Sequence, residues 1–289
     1  MPALASAYLY ASNKEVMMAT VGRTAVLEMR GISKRFGAVQ ALTNVDFDVY
    51  ANEVVGLVGD NGAGKSTLIK CIAGIHPIDE GEIYFEGRKV SIGGPKDALH
   101  LGISTVYQDL ALCDNLDVVA NLYLGREEYR TIIPGVFSIV NETKMEQRAI
   151  EVLRGLSVTL PSVRTLVASL SGGQRQSVAV ARSVMWKPKL VILDEPTAAL
   201  GVAQTRQVLD LIKRLREQGL AVIVISHNLE DVFAVVDRIK VLRLGRNGGT
   251  FNVRNVSHEQ VVAAITGAEF GTDEHEVAGA GVADSGGAE

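Results

Sequence analysis

The chain has 289 residues, 47% hydrophobic and 21% charged. That suits one large packed domain or two small ones, and excludes wholesale disorder, a collagen-like fibre and a disulfide-stapled miniprotein. With 29 Lys and Arg against 33 Asp and Glu the net charge is −4, so no nucleic-acid partner held through its phosphates is expected.

Residues 1 to about 24 carry no periodic pattern and read as an extension. The mildly apolar Ala3 to Ala11 lacks the basic start and long apolar stretch of a secretion signal, and Met17 or Met18 reads as an alternative start. Val45, Phe47 and Val49 alternate as in a strand, and Glu53 to Val58 is a short apolar strand running into glycines. Gly81 to Gly87 reads as a strand bounded by turns. The region 109–187 has few strand runs and more helical spacing, which predicts a helical insertion. Leu190 to Leu193 and Leu220 to Ile225 are continuous aliphatic runs, as in parallel strands covered on both faces. Between them Val208, Leu211, Ile212 and Leu215 recur at helical spacing, and strand, helix, strand predicts an α/β sheet. The longest aliphatic run is the six residues Leu220 to Ile225, far short of the about 20 that a membrane-spanning helix needs.

From Ala268 to Glu289 there are six acidic residues and no Lys or Arg, so the body is near neutral. This Gly/Ala/acidic tail, 267–289, is expected to be disordered. Cys71 and Cys113 lie in no metal-ligand spacing and read as buried free thiols.

Three motifs carry chemistry. Gly59-Asp60-Asn61-Gly62-Ala63-Gly64-Lys65-Ser66-Thr67 fits G-x-x-x-x-G-K-[ST], directly after a strand and before the apolar pattern Leu68, Ile69, Ile72. In that context glycine backbone N–H groups curl around phosphate oxygens and the helix aims its positive end at them. Lys65 would reach the β and γ phosphates, and the Ser66 hydroxyl would ligate Mg²⁺. The aliphatic strand Leu190 to Leu193 ends in Asp194-Glu195, which puts two carboxylates at the carboxyl end of the sheet, beside the phosphate loop. Asp194 would hold Mg²⁺ and Glu195 would polarise an attacking water, the parts that phosphoryl transfer needs. Alone, such a pair also reads as a solvated strand end. The third motif is Leu170-Ser171-Gly172-Gly173-Gln174 before a helical run from Arg175 to Trp186. Its glycines would admit a phosphate, and the helix start would face it. A plain helix cap at Ser171 is the same geometry without the ligand.

These motifs, in this order, resemble the ATP-binding cassette (ABC) ATPases over roughly residues 25–266. The resemblance implies an α/β P-loop NTPase with a β-rich N-terminal subdomain and an inserted helical subdomain at about 109–187. It implies further site residues: Phe36 stacking on adenine, Gln108 contacting Mg²⁺ and sensing a membrane partner, and His227 as a switch histidine. Singly, Phe36 reads as core, Gln108 as a cap on the strand Ile103 to Tyr107, and His227 as one of five ordinary histidines. In register with three motifs, the site reading prevails. One departure stands out. The family usually carries Asp after Pro-Thr-x-x-Leu; here the run is Pro196-Thr-Ala-Ala-Leu200-Gly201, which puts coupling between two ATP sites in question.

The stretch from Tyr107 to Arg126 and the pair Gly201-Val202 are similar to ATPases of ribose-, xylose- and fructose-type importers, in a single-cassette form. The resemblance implies an ATP- and Mg²⁺-dependent ATPase at the cytoplasmic face of the membrane. Its expected partners are a second copy or a homologous cassette, permease subunits and, indirectly, an extracytoplasmic solute-binding protein. An ABC ATPase for another solute, a soluble non-transport cassette, an exporter's cassette and a nucleotide-binding regulator without turnover are the rival readings. Intact Glu195 and His227 argue against the last.

Overall fold

A computed structural model describes residues 24–133 and 137–268. The expectations for the N-terminal extension and for the tail from residue 269 onward lie outside these residues.

Two large sheets carry most of the strands among the described residues. β1 (Ala25–Phe36), β2 (Val39–Tyr50), β4 (Glu80–Phe85) and β5 (Arg88–Val90) form an antiparallel sheet of order β2-β1-β4-β5. The second sheet has the order β12-β11-β3-β10-β9-β6. It is built from β3 (Glu53–Val58), β6 (Ile103–Val106), β9 (Leu190–Asp194), β10 (Ala221–Ile225), β11 (Arg238–Arg243) and β12 (Arg246–Asn252). Only β12 runs antiparallel in it.

The aliphatic runs make sense in this setting. Along each central strand alternate residues enter two different cores. Val55, Leu57, Ile192, Ala221, Ile223 and Ile225 pack toward the antiparallel sheet and the helix α1 (Lys65–Ile72). Val54, Val58, Val191, Leu193, Val222 and Val224 pack on the other face, with α5 (Gly172–Val184), α6 (Val202–Glu217) and α7 (Leu229–Val235). A strand covered on both faces has no polar side to show, so the period-2 alternation vanishes and β-branched residues fill it. A buried ion network joins the sheets: Arg238 on β11 donates to Glu53 (2.6 Å) and to Asp48 on β2 (2.8 Å). Burial works against the Arg238 charge, but the two carboxylates hold its pKa above the ordinary value.

The helices α2 (Pro95–Leu101) and α8 (His258–Thr266) complete the sheet layers. The segment 109–187 contributes α3 (Val118–Tyr123), α4 (Glu142–Gly155) and α5, and also a two-stranded hairpin, β7 (Tyr129–Ile133) with β8 (Phe137–Val140), that helical spacing did not predict. Tyr129, Phe137 and Ile139 are exposed on it. Both cysteines are free; Cys71 is buried as expected, but Cys113 is only half-buried. Among the described residues no helix is long and apolar enough to cross a membrane.

Candidate functional site

The phosphate-loop sequence forms the connection it predicts. β3 ends at Val58, and α1 begins at Lys65 with Gly64 as its N-cap at φ 101°. That left-handed backbone suits glycine, and a Cβ there would meet the Ala41 carbonyl oxygen at 2.9 Å. Asp60, Asn61, Gly62 and Ser66 are exposed, Gly59 and Thr67 are half-buried, and Ala63 is buried. The Lys65 ammonium donates to the carbonyls of Gly59 (2.6 Å) and Asp60 (3.0 Å), curling back over the loop. Burial lowers its pKa, while Glu195, Asp60 and Asp194 pull the other way. It is a half-desolvated cation whose present partners are neutral carbonyls. A phosphate anion would satisfy it better.

Asp194 closes β9, and Glu195 follows it. The two are not directly beside β3, because β10 lies between β9 and β3 in the sheet. Their charges nevertheless act on Lys65. Burial, and then the neighbouring Glu195, raise the Asp194 pKa. An unneutralised carboxylate held in this way suits a cation. Among the described residues no cluster of three His, Cys, Asp or Glu forms a metal cage. A single carboxylate with a hydroxyl nevertheless fits Mg²⁺, which usually keeps waters and phosphate oxygens as its other ligands.

Glu195 sits at φ 50°, a backbone conformation that non-glycine residues rarely adopt. Its N–H donates to the Ile225 carbonyl on β10 (2.9 Å), which fixes it there. Its Oε2 is buried without a hydrogen bond, and His227 Nδ1 lies 2.8 Å away. The His227 side chain is 75% exposed and that of Glu195 16%. Thr197 in the loop after Glu195 donates to Asp231 of α7 (2.7 Å), tying the two loops together a second time. Backbone strain and a buried carboxylate oxygen whose close neighbour is an exposed imidazole mark a site rather than a packing solution.

Gln108 is exposed, two residues beyond β6. β6 pairs with β9, Val106 opposite Leu193, so Gln108 leaves the sheet near the level of Asp194. Phe36 lies on the other sheet, at the end of β1. It is 42% exposed, packs edge-on against His76 at 5.0 Å, and has the Lys34 ammonium 5.5 Å from its ring centre. Its ring is therefore not core.

Ser171 caps α5 and forms a reciprocal box with Gln174: the Gln174 N–H donates to Ser171 Oγ (3.3 Å) and the Ser171 N–H to Gln174 Oε1 (3.0 Å). Gly172 is exposed, but Gly173 is buried against α6, where a Cβ would come within 2.9 Å of the Gln204 Cβ. The second glycine is thus required by packing as well as by any ligand. Gly201 is exposed at the N-cap of α6, and a Cβ there would meet nothing within 4 Å. Local space does not exclude an aspartate at that position.

One supporting residue was not read from the sequence. Gly245, in the turn between β11 and β12, donates to the Ala63 carbonyl (3.0 Å) and accepts from the Thr43 N–H (2.7 Å). It pins the phosphate loop to both sheets. Leu244-Gly245 shows a turn signal, but nothing local says what the turn touches.

A family described as ABC transporter matches residues 42–198. The fructose import ATP-binding protein FrcA of Rhizobium meliloti is 46% identical over 246 residues, covering 84% of this chain and 95% of that protein. The xylose/arabinose import ATP-binding protein XylG of Sulfolobus acidocaldarius is 47% identical over 221 residues, covering 76% and 86%. Among solved structures, MJ1267, an ATP-binding cassette of an ABC transporter in its ADP conformation, superposes with a TM-score of 0.71 at 26% identity, covering 84% of this chain and 95% of that one. The dimeric structure of the bacterial cassette MJ0796 gives 0.65 at 26% identity, covering 80% and 100%.

Proposed function

This chain belongs to the ABC transporter family, whose cassettes bind ATP and hydrolyse it, and on that premise we propose that it is the ATPase subunit powering import of a monosaccharide or related polyol through a membrane permease. The observation that carries the sugar reading is its 46% identity to a fructose import subunit along 95% of that protein. The ATPase unit in this reading spans residues 25–266, with 109–187 as the helical subdomain.

The N–H groups of Gly59 to Thr67 and the Lys65 ammonium bind the phosphates, Lys65 exchanging its two carbonyl partners for phosphate oxygens. Phe36 offers its exposed ring to the adenine. Ser66, Gln108 and Asp194 would hold Mg²⁺, which would supply charge neutralisation for the phosphates. Glu195, at the carboxyl end of β9 beside Asp194, accepts the proton of the attacking water. His227 holds that carboxylate in place. Ser171 to Gln174 of a second copy close over the same nucleotide, so two copies sandwich two ATP molecules head to tail; a homologous cassette would serve equally as the second half. The pair docks on the cytoplasmic face of permease subunits, which receive solute from an extracytoplasmic binding protein.

The test is reconstitution with the permease and binding protein that co-purify with this chain. ATP hydrolysis should rise several-fold when the binding protein is loaded with one of fructose, xylose or ribose. Stimulation only by a solute of another class would overturn the sugar reading while leaving the ATPase.

A further inference from the structure

The segment that follows Gln108 is held to α5, the helix that Ser171 caps, by side chains outside every motif. Arg182, on α5, donates from Nη1 to the Ala111 carbonyl (2.7 Å) and from Nη2 to the Leu110 carbonyl (2.8 Å). Seven residues earlier, Arg175 reaches Asp114 (3.2 Å) and the Ala168 carbonyl (3.0 Å). Seven residues are two helical turns, so both arginines grip from one face of α5. Further along, Val167 and Ala168 donate their N–H groups to the carbonyls of Leu116 and Asp114. Asn121, fully buried, accepts from the Cys113 N–H and donates to the carbonyls of Cys113, Leu116 and Asp117.

These contacts differ in where they hold. The backbone bonds and Asn121 secure 113–117. Arg182 holds 110–111, next to Gln108, where Ala111 adopts φ 48°. Such a conformation persists only when its surroundings impose it. A fork of two parallel N–H groups imposes direction as well as proximity, which a lysine's point charge does not.

We infer that Arg182 is a positioning residue for ATP hydrolysis, coupling Gln108 to Ser171–Gln174 by holding the segment between them to α5 as one rigid piece. Displacement at Gln108 then moves Ser171–Gln174 of the same copy toward or away from the nucleotide of the other. The inference rests on the proposed role of Gln108. Arg182 touches no nucleotide in this scheme, so its removal should spare binding and slow turnover.

The experiment uses the full chain carrying Arg182→Met, Arg182→Lys, Gln108→Ala and the double variant Arg182→Met/Gln108→Ala. Arg182→Met should lower kcat by about 10- to 100-fold, the scale of a small misplacement of reacting groups. ATP affinity measured by titration should stay within about 2-fold. Arg182→Lys, which keeps a cationic donor but loses the planar fork, should recover part of the loss. If both residues act through one segment, the double variant should be no more than about 2-fold slower than the slower single variant. Additive losses, or ATP affinity falling in step with kcat, would overturn the coupling. Wild-type turnover in Gln108→Ala would overturn the reading of Gln108 and this inference with it. A large Gln108→Ala loss with an additive Arg182→Met loss would overturn this inference alone. Should Arg182→Met fail to fold, Arg182→Lys carries the same cycle.

Discussion

Glu195 and His227 meet at 2.8 Å although they leave different strands, because β9 and β10 are paired in register and the Glu195 N–H is bonded to Ile225 two residues before the histidine. The contact brings a strained, nearly buried carboxylate up against an exposed imidazole. Replacing Glu195 with Gln keeps its size and removes the base. Hydrolysis should fall by a factor of order 10² to 10⁴, while ATP still binds. The ATP-bound pair should then persist, shifting the variant from monomer to dimer on size-exclusion chromatography with ATP and Mg²⁺. Wild-type hydrolysis in the variant would place the base elsewhere.

Lys65 gives a test of the phosphate loop itself. Its ammonium donates to two neutral carbonyls. Lys65→Ala leaves the backbone cradle but removes its cation. Charge-assisted bonds are worth about 1.5–3 kcal/mol, so ATP affinity by calorimetry should drop by at least about 10- to 100-fold. Unchanged affinity would sink the assignment.

The raised Asp194 pKa makes a prediction about pH. A carboxyl whose folded pKa exceeds its unfolded one destabilises the fold when ionised; the cost is absent below the unfolded pKa and full above the folded one. Asp194→Asn should therefore raise the Tm of the nucleotide-free protein at about pH 7, and the gain should fade as pH falls through the carboxylate range near about 4. The same variant should lose the extra Tm that ATP and Mg²⁺ confer on the wild type. A pH-independent difference would mean that burial of the charge is not its cause.

Gly245→Ala probes the brace behind the phosphate loop. The residue sits at φ 73°, and a Cβ would come to 2.6 Å from the Ala41 carbonyl oxygen. Strain of this kind costs about 1–3 kcal/mol. Thermal melts should show a lowered Tm, and ATP titration a weakened affinity, because the displaced turn carries the bond to Ala63. A loss of stability with unaltered ATP affinity would show that the turn supports the fold but not the loop.

Gly201→Asp tests the departure at the start of α6. The position is open, and aspartate caps a helix better than glycine by a few tenths of a kcal/mol. Tm should rise by about 1 °C. A fall would show that the absence of Asp answers a local structural demand.

The sequence by itself determined the elements whose geometry is set by near neighbours. Gly59 to Thr67 makes its loop because the glycines, the strand before and the helix after are contiguous. Leu190 to Leu193 and Ala221 to Ile225 announce burial on two faces because no polar residue interrupts them. Ser171 and Gln174, three residues apart just ahead of a helical run, carry the signature of a capped helix start. The hairpin from Tyr129 to Val140 was legible in principle, since aromatic and β-branched residues flank Pro134-Gly135, a turn signal; the helical spacing on either side obscured it. Tertiary structure alone decided the rest. That β10 separates β9 from β3, that Glu195 reaches His227, that Gly245 holds Ala63 and that Arg182 holds Leu110 and Ala111 are facts about residues far apart in the chain. No local periodicity encodes them, because each follows from how whole layers pack and which strand ends that packing aligns.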